Sequence, residues 1–393
     1  MRVAVIHDWL YTIGGAEKVL RSILRCFPNA DLFSLFDFMD DKDRIKIGYS
    51  QAKTTFLQKM PLIRRHHRAY LPLMPLAVEQ LDLRAYELVI SSSYAVAKGV
   101  LTGPDQLHLA YVHSPIRYAW DMQHSYLNEI GLTSGIRSAL IRMMLHRIRL
   151  WDIRTANGVN AYMANSDFIA RRVEKVYGRK SKVIYPPVAV PLDMRNTPKQ
   201  SFFLTASRLV PYKNTRAIVE AFRDMPNEKL IVVGTGPESE RLRTSASANV
   251  EFRGFLPDEE LRDLMGAARA FIFAAEEDFG IVAVEAQAEG TPVLALGRGG
   301  ARESIIDDPE YPTGMFFQEP TAVAIRRTVQ RFIEIEAKFT PRNCHQNALR
   351  FSEDRFETEF MDFVEYHRAQ FARRLAVHRH RYVPSIPLNA EVP

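Results

Sequence analysis

"FIFAAEEDFGIVAVEAQAEG", residues 271–290, holds a strand, a turn and a helix in twenty positions. FIFAAE reads as a strand, and IVAVEAQAEG reads as a helix ending near Gly290. EDFG is then the strand-to-helix turn, where the first helical amides lack intrahelical partners and favour anions. Glu277 precedes that turn and Glu285 lies one helical turn beyond it, eight positions away. Acids so placed can grip the two ends of a nucleotide sugar, Glu285 at the ribose and Glu277 beyond the phosphates. A first-turn acid followed by a solvated helix acid is also favourable in its own right.

The same alternation runs outward in both directions. RVAVIHD (2–8) is a β-branched strand, and TIGGAEKVLRSIL (12–24) places Gly14 and Gly15 before apolar residues at helical spacing. ADLFSLF, YELVISSS, LHLAYVHS and AYMANS continue as strands. YPPVAVPLDMRNTPKQ (185–200) carries four prolines and reads as a linker. Beyond it SFFLTASR, KLIVVGTG, VEFRGFL, RAFIFAAE and TPVLALG are strands, with NTRAIVEAFRDM and DEELRDLMGAA as helices. The fold class expected is α/β, two Rossmann-like α/β/α domains facing each other across a cleft at the carboxyl ends of parallel strands. The divisions are 1–188, a linker at 189–200, 201–354, a C-terminal helix at 355–378 crossing back to the first domain, and a frayed tail at 379–393.

Composition narrows the function classes. With 47% hydrophobic and 25% charged residues, and no uncharged apolar run of roughly 18 residues, the chain reads as globular rather than membrane-spanning. The opening MRVAVIHDWL reaches His7 and Asp8 too early for a signal peptide, and Cys26 and Cys344 lack metal-ligand spacing. A reducing, cytoplasmic location is expected. Residues 1–190 hold 26 Lys/Arg against 16 Asp/Glu, whereas the remainder holds 26 against 30. A basic first half suits an anionic partner, although scattered solvated cations would give the same count.

Shorter motifs add candidates. SRLVPYKN follows a strand and offers Arg208 and Lys213 as a clamp for a diphosphate, or as two exposed cations in a polar loop. IVVGTGPE supplies Gly234 and Gly236, and GRGGARE (297–303) a further glycine turn, neither specific alone. Asp41-Lys42-Asp43 is a D-x-D, taken as part of a solvated acidic loop.

In chain order GGAE, HSP, ANS, YPPV, SRLVPYKN, GTGPE, F-R-G, EEDFGIVAVE and GRGGARE follow the order of the family 4 retaining glycosyltransferases, which the chain resembles over nearly its whole length. HDWL and YVHSPIRYAWD (111–121) resemble the mannosyltransferases of bacterial O-antigen and exopolysaccharide assembly. The resemblance implies a GT-B fold and transfer of a sugar, mannose from GDP-mannose, to a polyprenyl-diphosphate-linked glycan. It implies Gly14, Gly15, Gly234 and Arg253 beside the donor, with Arg208 and Lys213 neutralising the leaving diphosphate. It further implies Glu285 on ribose, Glu277 and His113 on the donor sugar near the reacting carbon, and the amides of Phe279, Gly280 and Ile281 on phosphate. His113 is otherwise a packing or capping histidine. No metal or other cofactor is expected, since the two cations meet the charge of the leaving group. The alternatives are a UDP-sugar donor, a nucleotide-sugar epimerase, a phosphorylase, or a binding protein for an anionic ligand. Nucleic acid is not expected as a partner, because it leaves the second-half acids unexplained.

KMPLIRRHHRAYLPLMP (59–75) and RSALIRMMLHRIRLWDIR (137–154) are basic and aromatic-bearing. In the second, Leu140, Ile141, Met144, Leu145, Ile148 and Trp151 recur at helical spacing. An anionic inner-leaflet surface is therefore expected as a partner, touched by Arg142, Arg147, Arg149 and Trp151. An ordinary helix packed on the sheet would share the pattern.

Overall fold

The computed structural model describes residues 1–129, 131–195 and 197–381. It divides into two compact units, residues 1–163, 176–181 and 357 onward in the first, 164–175 and 182–356 in the second. The proline-rich stretch 185–200 therefore lies inside the second unit rather than between the two. The reason is local: Val188 N–H donates to Phe351 O at 2.8 Å, and Val188 packs with Phe279, Val284 and Phe351. The final helix, Glu353–Arg381, returns the chain to the first unit from residue 357. Most of the expected tail at 379–393 falls outside the described residues.

One sheet, belonging to the first unit except for residue 164 and residues 182–183, carries β1 (Val3–His7), β2 (Asp31–Ser34), β3 (Lys53–Thr54), β4 (Leu88–Ser93), β5 (Leu107–Val112), β6 (Ala161–Ala164) and β7 (Ser181–Val183). Their order is β3-β2-β1-β4-β5-β6-β7, and β1 pairs in parallel with both β2 and β4. The second unit carries β8 (Phe202–Ala206), β9 (Lys229–Val233), β10 (Val250–Gly254), β11 (Ala270–Phe273), β12 (Val293–Leu296) and β13 (Gly314–Phe317). These run β10-β9-β8-β11-β12-β13, every neighbouring pair parallel. Ten of these strands coincide with apolar runs legible in the sequence. β3, β7 and β13 do not: β3 and β7 span two and three residues, and β13 is the glycine-led GMFF.

Strands buried on both faces explain the near-continuous Val/Ile/Leu/Ala runs. Every residue of β1, β4, β5, β8, β11 and β12 is buried. The helix Gly15–Cys26 buries Val19, Leu20, Ile23 and Leu24 at the spacing the sequence shows. The segment 41–43, read as loop, instead opens the helix Asp41–Ile47: Asp40 caps it by accepting from Asp43 N–H, and Asp41 pairs with Arg44 at 3.3 Å. Both cysteines are unpaired. Among the described residues no helix is long and apolar enough to cross a membrane.

Candidate functional site

In the second unit the strand order reverses between β8 and β11, the place beyond the strand ends where open parallel sheets take ligands. Asn214 joins the two sides. It sits at φ +54°, a left-handed conformation that asparagine tolerates, and its side chain donates to Ala274 O at 2.9 Å. The link helps bring the loop after β8 to the loop after β11, where Lys213 forms an ion pair with Glu277. Both side chains are mostly withdrawn from water, at 16% and 20% exposure, whereas Arg208 is exposed.

The EEDFG turn is held from two sides. Asp278 accepts from Arg172 Nη1 at 3.2 Å, and its carbonyl accepts from Ser166 Oγ at 2.6 Å. Beneath lies the loop after β12, whose Gly300 N–H donates to Glu277 O at 2.9 Å. A Cβ on Gly300 would stand 2.3 Å from Phe279 Cα, so GRGGARE is the bed on which the acidic turn rests. Gly280 is the left-handed N-cap of the helix Ile281–Ala288, which bears half-buried Ile281 and, one turn on, half-buried Glu285. The Phe279 side chain is buried against Tyr185 and Phe351, ring centroids 5.5 and 5.3 Å apart, and so anchors the turn. Gly234 lets the loop after β9 touch the end of β8: a Cβ there would lie 1.9 Å from Ser207 O. Arg253 stands on the edge strand β10, separated from β8 by β9, and pairs with Glu251 at 2.7 Å.

The first unit has its own reversal, between β1 and β4. There His7 ends β1, Ser92 lies beside it on β4, and His113 follows β5. Ser92 Oγ is 3.1 Å from His7 Nδ1 and 2.8 Å from His113 Nε2, while His7 Nε2 is 3.3 Å from Glu17 Oε1. All four side chains are buried. Burial, aided by His7, pushes the pKa of His113 down to about 3, so its ring is neutral at neutral pH. Gly14 caps the helix Gly15–Cys26 in extended conformation and gives its N–H to Glu17 Oε2 at 2.8 Å. The adjacent Asp8 accepts four backbone N–H bonds, from Tyr94, Ala95, Val96 and Ala97, at 2.6–2.9 Å. It thereby fixes the loop that leaves β4.

The helix Gly135–Ala156 sorts its expected surface residues into two groups. Trp151 donates from its indole to Glu79 at 2.8 Å and packs on Gly99, where a Cβ would lie 2.2 Å from the ring. Arg149 donates to Ala119 O and Gln123, and Arg142 to Ser138 Oγ, so both serve the scaffold. Arg147 is exposed, amid Ile136, Leu140, Met143 and Leu150, also exposed. Asp8, Glu17, Ser92 and Asn214 did not stand out as site residues in the sequence. Their one signal is polarity at a strand end or helix start, where the apolar pattern stops.

Residues 194–351 match the family model described as glycosyl transferases group 1. A stretch of 114 residues is 36% identical to the GDP-mannose-dependent monoacylated alpha-(1-6)-phosphatidylinositol monomannoside mannosyltransferase of Corynebacterium glutamicum, covering 25% of this chain and 30% of that protein. The chain thus spans about a third of that relative's length. Among solved structures it is similar to HepE of Anabaena in complex with UDP, with TM-score 0.67 and 19% identity over 93% of this chain and all of the other. It is likewise similar to the sucrose-phosphate synthase of Thermosynechococcus elongatus, with TM-score 0.69 and 16% identity over 94% of this chain and all of the other. With two parallel-sheet units, the fold is GT-B.

Proposed function

We propose that this chain is a family 4 glycosyltransferase that transfers a sugar from a nucleotide donor to a glycan with retention of configuration, a reading supported by the match of residues 194–351 to the glycosyl transferases group 1 model. The Lys213–Glu277 pair at the β8/β11 reversal carries the reading. A diphosphate beside Lys213 offers the ammonium more negative charge than one carboxylate does. It therefore competes for Lys213 and frees Glu277 to accept hydroxyls of the donor sugar. Arg208, exposed beyond the same strand, adds a bidentate cation. The amides opening the helix Ile281–Ala288 suit phosphate oxygens, and Glu285 suits the ribose. Charge growing on the leaving diphosphate meets cations already in place, which is catalysis by electrostatic preorganisation and requires no metal.

The donor we assign is GDP-mannose, supported by the likeness to the corynebacterial enzyme. The acceptor we assign is a polyprenyl-diphosphate-linked glycan of bacterial exopolysaccharide or O-antigen synthesis. We assign acceptor binding to the first unit, and His113, which follows β5, to the donor sugar near the reacting carbon. Peripheral attachment to an anionic inner leaflet is supported by the exposed Ile136, Leu140, Met143, Arg147 and Leu150 on one helix, and by Leu62, Arg64, Arg65 and Leu73 in the other basic segment.

The test is a thermal-shift panel of GDP, UDP and ADP, followed by turnover of the matching nucleotide sugars in EDTA with product linkage read by NMR. An α-linked mannoside formed in EDTA supports the reading. Turnover of a UDP-sugar alone replaces the donor, epimerised or merely hydrolysed donor replaces the chemistry, and loss in EDTA with rescue by manganese removes the metal-free mechanism.

A further inference from the structure

Gln287 is wholly buried in the second unit, near the end of the helix Ile281–Ala288 that the acidic turn opens. A side-chain amide has two protons to give, and both are spent. Nε2 donates to Ala283 O at 3.2 Å, one turn back in the same helix, and to Ser304 O at 2.9 Å. Its Oε1 accepts from Asn347 Nδ2 at 2.7 Å, and Asn347, also buried, gives its other proton to the same Ser304 O at 2.8 Å. Asn347 Oδ1 in turn accepts from Arg350 Nη1 at 2.8 Å. Ser304 O can only accept, and so it orients both amide groups. Ser304 closes the helix Ala301–Ser304, and its carbonyl is one that the helix itself leaves unpaired. His345 does the same service for Ala288, the last residue of the other helix, donating from Nδ1 to its carbonyl at 2.8 Å.

These bonds close a ring. The two helices are eight and four residues long, with Gly280 capping the start of the first and Gly300 the start of the second. At that end Gly300 N–H meets Glu277 O at 2.9 Å. At the other end Gln287 meets Ser304 O, with Asn347 bonded to both. A buried polar network whose members are all satisfied is rigid, so fastening the far ends fixes the near ones.

We propose that Gln287 and Asn347 are positioning residues for nucleotide binding: from the far ends of the two helices they hold Glu277, Glu285 and the amides after Gly280 in the arrangement a nucleotide meets. The nucleotide rests on the functional reading above; the fastening does not.

The experiment uses the full-length protein. Asn347→Leu leaves Ser304 O its bond from Gln287, so the fold should persist; Gln287→Met leaves it the bond from Asn347 and is measured alongside. Amide hydrogen exchange, read by mass spectrometry, should quicken at residues 277–281 and 297–304 by about tenfold, the factor given by one lost hydrogen bond of ordinary net strength. Exchange in β8 and β9 should stay at the wild-type rate. GDP and UDP are then titrated by calorimetry. Whichever nucleotide the wild type binds should bind the folded variants about tenfold more weakly, by the same loss. Ile325→Val, a cavity in the core of the same unit, controls for general loosening and should bind as the wild type does. Wild-type exchange around both glycines in a folded Asn347→Leu overturns the proposal, as does a nucleotide affinity equal to that of Ile325→Val. Failure of both variants to fold assigns the pair to the folding core and overturns it too. If the wild type binds neither nucleotide, the functional reading fails by itself, and the exchange rates alone decide whether the fastening stands.

Discussion

Both units reverse strand order at a polar strand end, yet they fill that place differently. In the first, His7, Ser92, His113 and Asp8 are buried and hydrogen-bonded into the backbone and to one another. In the second, the reversal holds one partly exposed ion pair, Lys213 with Glu277, beside an exposed arginine. A buried network is costly to break, because each orphaned group loses its hydration and its partner together. A half-buried ion pair that keeps some contact with water, at 16% and 20% exposure, is less costly to break than a fully buried network and can exchange partners. The first unit therefore ties its site to its folding, whereas the second keeps the two separable.

The largest expected effect tests the buried side. Asp8→Ala leaves four buried amides without their acceptor and should lower stability by about 4 kcal/mol, or prevent folding. Urea unfolding measures it, and a loss below about 1 kcal/mol would remove the contrast. Next, Lys213→Ala should reduce turnover by roughly 10²–10³, the usual cost of removing one preorganised group. Its unfolding midpoint should stay near that of the wild type. An equal loss in both would place Lys213 among the structural residues.

A smaller effect follows from pH. Burial pushes His108 to about 4 and His113 to about 3, both below the unfolded value near 6.5. The unfolded chain therefore binds protons first, so this stability is complete above about pH 6.5 and is lost as pH falls toward those folded values. Each histidine should cost about 1.4 kcal/mol per pH unit in that window. His108→Gln should lower the slope of unfolding free energy between pH 6 and 5 by one proton's worth; an unaltered slope would show that His108 does not bring this linkage. Smallest is the surface effect. Arg147→Glu should weaken sedimentation with anionic liposomes at low salt, where exposed charge is least screened, and leave nucleotide affinity unchanged. Wild-type protein that ignores such liposomes defeats the membrane assignment.

What the sequence made legible follows the same division. The strands flanking both reversals were readable, because a strand buried on two faces is a run of apolar residues whatever surrounds it. The two acids around EEDFG and the cations of SRLVPYKN were readable as a charged turn, and the structure brings Lys213 and Glu277 together. The first unit's network was largely hidden. Ser92 sits in a run of three serines and Asp8 reads as a polar stop, and only three-dimensional register shows which of them face the histidines. Periodicity also misplaced Arg149 and Trp151. It marked an apolar face on the helix Gly135–Ala156, but not that polar residues join the buried face. There Asp152 meets buried Lys98 at 2.7 Å, while Leu140 and Met143 turn outward.

The interleaving of the chain between its units bears on chimeras and donor-swapping by design. A graft cut at the proline-rich stretch, or at residue 194 where the family match begins, would omit residues 164–175. Those residues supply Ser166 and Arg172 to Asp278, and their helix is capped at Asp167 and Phe168 by Glu303. The acidic turn would then arrive in its new host without two of its fastenings. A transplant that includes residue 164 onward carries them along, so the seam for recombining relatives lies some twenty residues ahead of the prolines that announce one.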